Sequence, residues 1–260
     1  MGAEFLLMDD NARPHRANIV DECLQSEDII RMDWPAYSPD LNPIEHVCIC
    51  DVKEETAKEF LASLPPAEGN KVIFQKCDVT SAEELRSAFE RVISIFGGID
   101  VVINNAGIVD EQNWERMIDV NFIGVVHGIK LGFEYMGKGK GGHGGQIINT
   151  ASRAGLNPKY VWAPIYCATK SAVVGLTRSY GSEYHFNKTG VAVNAICPAF
   201  TDTELLRMGP RREVDDAGSA SSEGERTLKP EEVAQALIQL LEDGKNGALL
   251  LVETDGVKYV

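Results

Sequence analysis

The chain has 260 residues, 44% of them hydrophobic, enough to bury one sizeable core in one or two domains. A formal net charge of −14 makes the average surface repel a polyanion, which argues against nucleic acid as a partner. No apolar run approaches the roughly 18 residues that span a bilayer. Met1-Gly2-Ala3-Glu4 lacks the basic start of a signal peptide, so the six cysteines are read as reduced thiols of a cytoplasmic protein.

In chain order, Glu4 to Met8 has the pattern of a short apolar strand and Arg16 to Leu24 that of a helix. From Val47 onward, apolar runs alternate regularly with helix-period segments. Val47-Cys48-Ile49-Cys50 is a buried-strand run ending at Asp51, and Glu54 to Leu64 has helical spacing and stops at Pro65-Pro66. Lys71 to Cys77 is the next strand. Ser81 and Glu84 form a capping box that opens a helix to Phe96. Val101-Val102-Ile103 follows the turn Gly97-Gly98, and a single helix is predicted from Asn113 to Met136. The glycine-rich stretch from Gly137 to Gly145 leads into the strand Gln146 to Asn149, so it is a turn; a phosphate cradle needs its glycines to open a helix. A long helix from Pro164 to about Glu183, a strand from Val191 to Ile196, a helix from Pro230 to Leu241 and the strand Leu249 to Val252 complete the pattern. Residues 208–228 are polar and predicted to form a loop. Strands alternating with helices of ten or more residues mean βαβ units, hence an α/β fold with a doubly wound parallel sheet that binds ligands at the C-terminal strand edge.

Chemistry concentrates at that edge. Tyr166 and Lys170 are four apart in a helix and share a face. An ammonium beside a phenol favours the phenolate, which would let Tyr166 act as a general base near neutral pH. Such a pair alone is common on helix surfaces; its neighbours distinguish this one. Ser152 lies fourteen positions earlier, just past a strand, where its hydroxyl can hydrogen-bond a reacting oxygen. Asn104-Asn105-Ala106-Gly107 follows another strand, and Asn121 lies in the helix beyond. Asp51, ending its strand, can accept hydrogen bonds from a ribose 2′-hydroxyl and would repel a 2′-phosphate, favouring NAD over NADP.

From about Val47 to the end, the sequence resembles the short-chain dehydrogenase/reductase family. The resemblance rests on Asn104 to Gly107, Asn121, Ser152, Tyr166 with Lys170, and Cys197-Pro198-Ala199 where the family usually has Pro-Gly. It implies a Rossmann-like fold and NAD-dependent oxidation of a secondary alcohol to a ketone. Tyr166 would be the base, Lys170 its partner and a nicotinamide-ribose ligand, Ser152 the oxygen-orienting group and Asn121 a proton relay. By the same resemblance Asp78 and Val79 contact the adenine, Asn105, Ala106 and Gly107 line the adenosine half, and Pro198 and Thr203 hold the nicotinamide. Runs such as Ala154-Gly155-Leu156 and Ala195 to Pro198 are similar to members that oxidise hydroxyprostaglandins, although Ala163 replaces a substrate-contacting glutamine of those members. A homodimer is also implied. No metal is expected.

The family's first strand, glycine loop and helix are missing. Residues 1–46 contain one glycine, Gly2, and resemble the catalytic domain of mariner-type transposases through Met8 to His15 and Trp34 to His46, with 34 residues between the carboxylates Asp10 and Glu45. That family's first catalytic Asp and its basic DNA-binding helices are absent, and the segment carries ten Asp and Glu against three Arg. Residues 1–46 are therefore read as a transposase-derived fragment, not an independent domain, and 47–260 as the dehydrogenase-like domain. If the foreign strand and helix fill the vacant slot, Asp9 and Asp10 are expected to face the pyrophosphate and repel it. Two readings remain open: an NAD-dependent oxidoreductase acting on a small alcohol, and a chimera with weak or no cofactor binding.

Overall fold

The computed structural model describes residues 46–65, 69, 71–208 and 226–260, the side chains of 207 and 208 excepted, together with the backbone of 5–9. Asp10, Glu45, the helix expected over 16–24 and most of the polar stretch 208–228 lie outside the described residues.

The strands are β1 (Phe5–Asp9), β2 (His46–Asp51), β3 (Val72–Lys76), β4 (Val101–Asn104), β5 (Gly145–Thr150), β6 (Val191–Pro198), β7 (Leu249–Glu253) and β8 (Gly256–Tyr259). Interleaved with them are α1 (Glu54–Ser63), α2 (Ala82–Phe96), α3 (Trp114–Ile118), α4 (Gly124–Met136), α5 (Arg153–Leu156), α6 (Pro164–Tyr180), α7 (Glu183–Thr189), α8 (Glu204–Met208) and α9 (Pro230–Glu242). The sheet order is β3-β2-β1-β4-β5-β6-β7-β8, with β2–β3 and β4 through β7 parallel, as the alternating pattern predicts.

Helices cover both faces, and successive strand residues serve opposite layers. Ile147 joins the core beneath α2, α4 and α6, whereas Ile148 packs with Phe60, Leu64, Leu240 and Leu241 of α1, its end and α9. Helix ends follow local chemistry. The Ser81 hydroxyl accepts from the Glu84 N–H at 3.2 Å, and α2 stops at Gly97, whose φ of 98° suits glycine. The other arm of the expected capping box is redirected: the Glu84 carboxylate accepts from the Asp78 N–H at 2.9 Å, bracing the loop after β3.

Three departures from the sequence reading matter for the site. The single helix predicted from Asn113 to Met136 is broken by a π turn over Asp119–Ile123, which contains Asn121. The strand β8 is absent from the sequence reading; it is only four residues long, all of them exposed, too short for its alternation of Val257 and Tyr259 with Gly256 and Lys258 to stand out.

The third departure concerns β1. It fills the slot between β2 and β4 but runs antiparallel to both, with Phe5 opposite Cys50 and Asn104 and Asp9 opposite His46. Antiparallel pairing satisfies the backbone at least as well as parallel pairing and needs no crossover, so a short apolar strand can enter in this sense. The expectation that Asp9 faces a pyrophosphate is thereby overturned: Asp9 stands at the N-terminal edge of its neighbours, opposite the edge that carries Asp51 and Asn104.

Candidate active site

The predicted site residues gather where β4, β5 and β6 end, joined by α6. Lys170 is 3% exposed, and its ammonium donates to the Thr150 carbonyl at 2.7 Å. It lies over the Tyr166 ring, 5.8 Å from the centroid. Gly107 closes this corner: a Cβ there would sit 3.4 Å from Lys170 Nζ and 3.6 Å from Asn121 Oδ1. Gly155 is tighter still. A Cβ on it would meet the Lys170 carbonyl at 2.5 Å, so only glycine lets α5, and with it Ser152, pack directly on the α6 backbone.

Burial dominates the electrostatics. The Tyr166 hydroxyl is pushed up to about 12 by burial, against which a hydrogen bond to the Ser152 side chain works. Lys170 is pushed down to about 8, again by burial, with the nearby Cys197 opposing. This corrects the expectation that Lys170 draws Tyr166 toward neutrality. The ammonium is turned to the Thr150 carbonyl, and burial, which disfavours a phenolate, sets the direction of the Tyr166 shift.

Ser152 caps α5, its hydroxyl accepting from the Ala154 N–H at 3.1 Å, and lies 3.5 Å from the Pro198 carbonyl. Asn121 is fully buried and its amide is committed. It accepts from the Ile108 N–H at 2.8 Å and donates to the Ile108 carbonyl at 2.9 Å and to Thr169 Oγ1 at 3.3 Å. The side chain therefore anchors the loop after β4 rather than reaching toward the phenol of Tyr166.

The residues expected on the cofactor's side are spread along the same edge. Asp51 is 4% exposed at the end of β2, its carboxylate accepting from the Lys53 N–H at 2.7 Å. Lys53 in turn reaches Glu204 of α8 at 2.9 Å, tying the end of β2 to the segment beyond β6. Asp78 is held by Arg116 at 2.7 Å and by Thr80. Burial opposes its ionisation, but these hydrogen bonds prevail and keep its carboxyl below the ordinary value. Val79 is buried against Gly124, and Asn105 accepts from the Thr150 hydroxyl at 2.9 Å. Ala106 is buried beside it. Pro198 ends β6, and Thr203 bonds back to the Thr201 carbonyl.

Sequence reasoning missed several neighbours. Glu111 accepts from the N–H groups of Ile165 and Tyr166 at the start of α6, a contact across more than fifty residues that no local spacing announces. Arg153 stacks over Phe200 and donates to the Tyr160 hydroxyl, and Tyr160 meets Phe200 edge-on. With Ala199, Arg226, Glu253, Thr254 and Asp255, Arg153 and Phe200 line a cavity of about 290 Å³ beyond the ends of β5 to β7.

The chain is similar to known proteins. The model of the short chain dehydrogenase family matches residues 43–213. Human 15-hydroxyprostaglandin dehydrogenase [NAD(+)] is 40% identical over 217 residues, covering 80% of this chain and 81% of the relative. The mouse protein of that name is 40% identical over 193 residues, 71% of each chain. Alcohol dehydrogenase 2 of Ceratitis capitata is 37% identical over 202 residues, 76% of this chain and 77% of the relative. A crystal structure of 3-ketoacyl-(acyl-carrier-protein) reductase from Brucella melitensis complexed with NADH shares the fold with a TM-score of 0.66 at 24% identity, over 79% of this chain and 85% of that one. The chain belongs to the short chain dehydrogenase family.

Proposed function

We propose that the chain is an oxidoreductase of NAD that oxidises a secondary alcohol, a hydroxyprostaglandin or another lipid-like alcohol, to a ketone. The observation that carries this reading is the convergence of Ser152, Tyr166 and Lys170 at one corner of the sheet edge, with Lys170 held by the Thr150 carbonyl. In this reading the Ser152 hydroxyl orients the substrate oxygen and the Tyr166 hydroxyl exchanges a proton with it. Lys170 spends one N–H on Thr150, which leaves two to donate to ribose hydroxyls. When bound, NAD supplies the hydride acceptor.

The fit of these residues to that cofactor is uneven. Lys170 and the buried carboxylate of Asp51 suit the two riboses. The diphosphate ordinarily rests on a helix N-terminus that follows the first strand. Here β1 runs antiparallel and ends at the other edge, so among the described residues no helix N-terminus follows the first strand at that place. A second reading follows from this direction of β1: cofactor affinity is low, and the chain is catalytically impaired. The sequence motifs favour a transposase-derived origin for residues 1–46 and a dehydrogenase-like domain over 47–260. A transcript crossing the codons for His46 and Val47 tests that junction. Buried free thiols at Cys48, Cys50, Cys77, Cys167 and Cys197 suit a reducing, cytoplasmic setting. A homodimer belongs to the same reading, and sedimentation of the purified chain tests it.

The deciding experiment is turnover of a panel of secondary alcohols, 15-hydroxyprostaglandins included, at millimolar NAD. Tyr166→Phe is expected to lower the rate by roughly 100- to 10,000-fold, the usual contribution of a positioned acid or base. Turnover that survives Tyr166→Phe would refute the assignment.

A further inference from the structure

The helix that carries Tyr166 and Lys170 has no cap of its own. Ala163, at its N-cap, offers no side-chain acceptor, and Pro164 has no N–H. The first hydrogen bond closed by the helix itself is from the Cys167 N–H to the Ala163 carbonyl at 3.0 Å. Between these points the N–H groups of Ile165 and Tyr166 need an external acceptor, and Glu111 supplies it with both oxygens. Oε2 accepts from Ile165 at 3.2 Å and Oε1 from Tyr166 at 2.9 Å. A carboxylate there also faces the positive end of the helix dipole.

Glu111 sits on a loop that is itself held. Asn121 grips Ile108 by both its N–H and its carbonyl. The Asp110 carboxylate accepts from the N–H groups of Gln112 at 3.2 Å and Asn113 at 3.1 Å, and the Asp110 N–H points to the Met117 sulfur at 3.4 Å. The circuit closes on Tyr166 from the other side: Asn121 donates to Thr169 Oγ1, which donates to the Tyr166 carbonyl at 2.8 Å. Both backbone groups of Tyr166 are thus fixed by side chains that trace back to Asn121, one through Glu111 and one through Thr169.

We infer that Glu111 is a positioning residue that sets the place of Tyr166 against Ser152 by gripping the first turn of α6. Calling that tyrosine the acid–base group rests on the proposed function; the grip itself does not. Loss of the carboxylate frees the first turn, admits water to the phenol and moves Tyr166 relative to Ser152.

The test uses the full chain without cofactor, so it is separate from any failure of turnover. Tyrosine ring ¹³C shifts, with Tyr166 assigned through Tyr166→Phe, follow its ionisation up to pH 11, and amide exchange is followed at Ile165 and Tyr166. In Glu111→Ala both amides should exchange faster, and the ionisation constant of Tyr166 should rise by roughly tenfold or more as water gains further access to its half-buried side chain. Glu111→Gln keeps one acceptor oxygen and sets an NH2 against the other N–H, so it should protect one of the two amides and give a titration between those of the wild type and Glu111→Ala. A lowered melting temperature in Glu111→Ala with unchanged Tyr166 ionisation would overturn the inference and leave only a helix cap. Unchanged exchange of the Ile165 and Tyr166 amides in Glu111→Ala would overturn it too. If Glu111→Ala does not fold, Glu111→Asp, one methylene too short for both N–H groups, takes its place under the same criteria.

Discussion

Lys170 is buried as an ammonium at neutral pH, and that burial should be measurable as a pH-dependent cost to stability. Its surroundings lower it from an ordinary value of 10.5 to about 8, while in the unfolded chain it returns to the ordinary value. Between these two values the unfolded chain binds the proton and the folded chain does not, so stability rises with pH across the window and is lost as pH falls through about 8. At about 1.4 kcal/mol per tenfold, integration from pH 7 to pH 10 gives roughly 2–3 kcal/mol. Tyr166 works in the opposite sense. Its stabilising contribution is complete below its ordinary value of 10 and is lost as pH rises toward about 12, so it scarcely intrudes below pH 10. Lys170→Met keeps the stem and removes the charge. Urea unfolding of both proteins at pH 7, 8, 9 and 10 should show the wild type gaining about 2–3 kcal/mol relative to the variant over that range. Parallel curves for the two proteins would refute the reasoning, because they would mean that the ammonium is solvated in the folded state.

Two further substitutions probe how the site is held. Asn121→Ala strips hydrogen bonds from both backbone groups of Ile108 and from Thr169, and buried groups left unsatisfied cost about 1–3 kcal/mol each. Urea unfolding should therefore show a loss of at least about 3 kcal/mol, against the few tenths expected if the side chain served only as a relay. Gly155→Ala drives a Cβ to 2.5 Å from the Lys170 carbonyl, and relieving that clash should cost about 1–3 kcal/mol in stability. Because the relief must part α5 from α6, turnover should fall more steeply than stability; an unchanged rate would mean that Ser152 is placed independently of this contact.

Much of this architecture was legible because it depends on local pattern. Buried runs such as Val191 to Ile196 and the four-residue spacing of Tyr166 and Lys170 announce their elements and their shared face. What escaped depends on partners distant in the chain or on direction. An apolar run such as Phe5–Asp9 reads the same whichever way it enters a sheet, so its antiparallel sense was invisible. The π turn at Asn121 goes with a side-chain grip on Ile108, thirteen residues away, a contact that helical spacing does not announce. The shift of Tyr166 was expected in the wrong direction because spacing reveals a neighbouring charge but not the loss of water around the phenol.

The central claim is that the reactive corner is assembled while, among the described residues, the antiparallel first strand leads no helix N-terminus to the place of the cofactor's diphosphate. Direct titration of the purified chain with NADH, by calorimetry or quenching of protein fluorescence, tests it. Micromolar affinity corresponds to about −8 kcal/mol, and two missing charge-assisted bonds at about 1.5–3 kcal/mol each leave about −2 to −5 kcal/mol. The account predicts a dissociation constant weaker than about 100 µM, and binding at about 1 µM would contradict it.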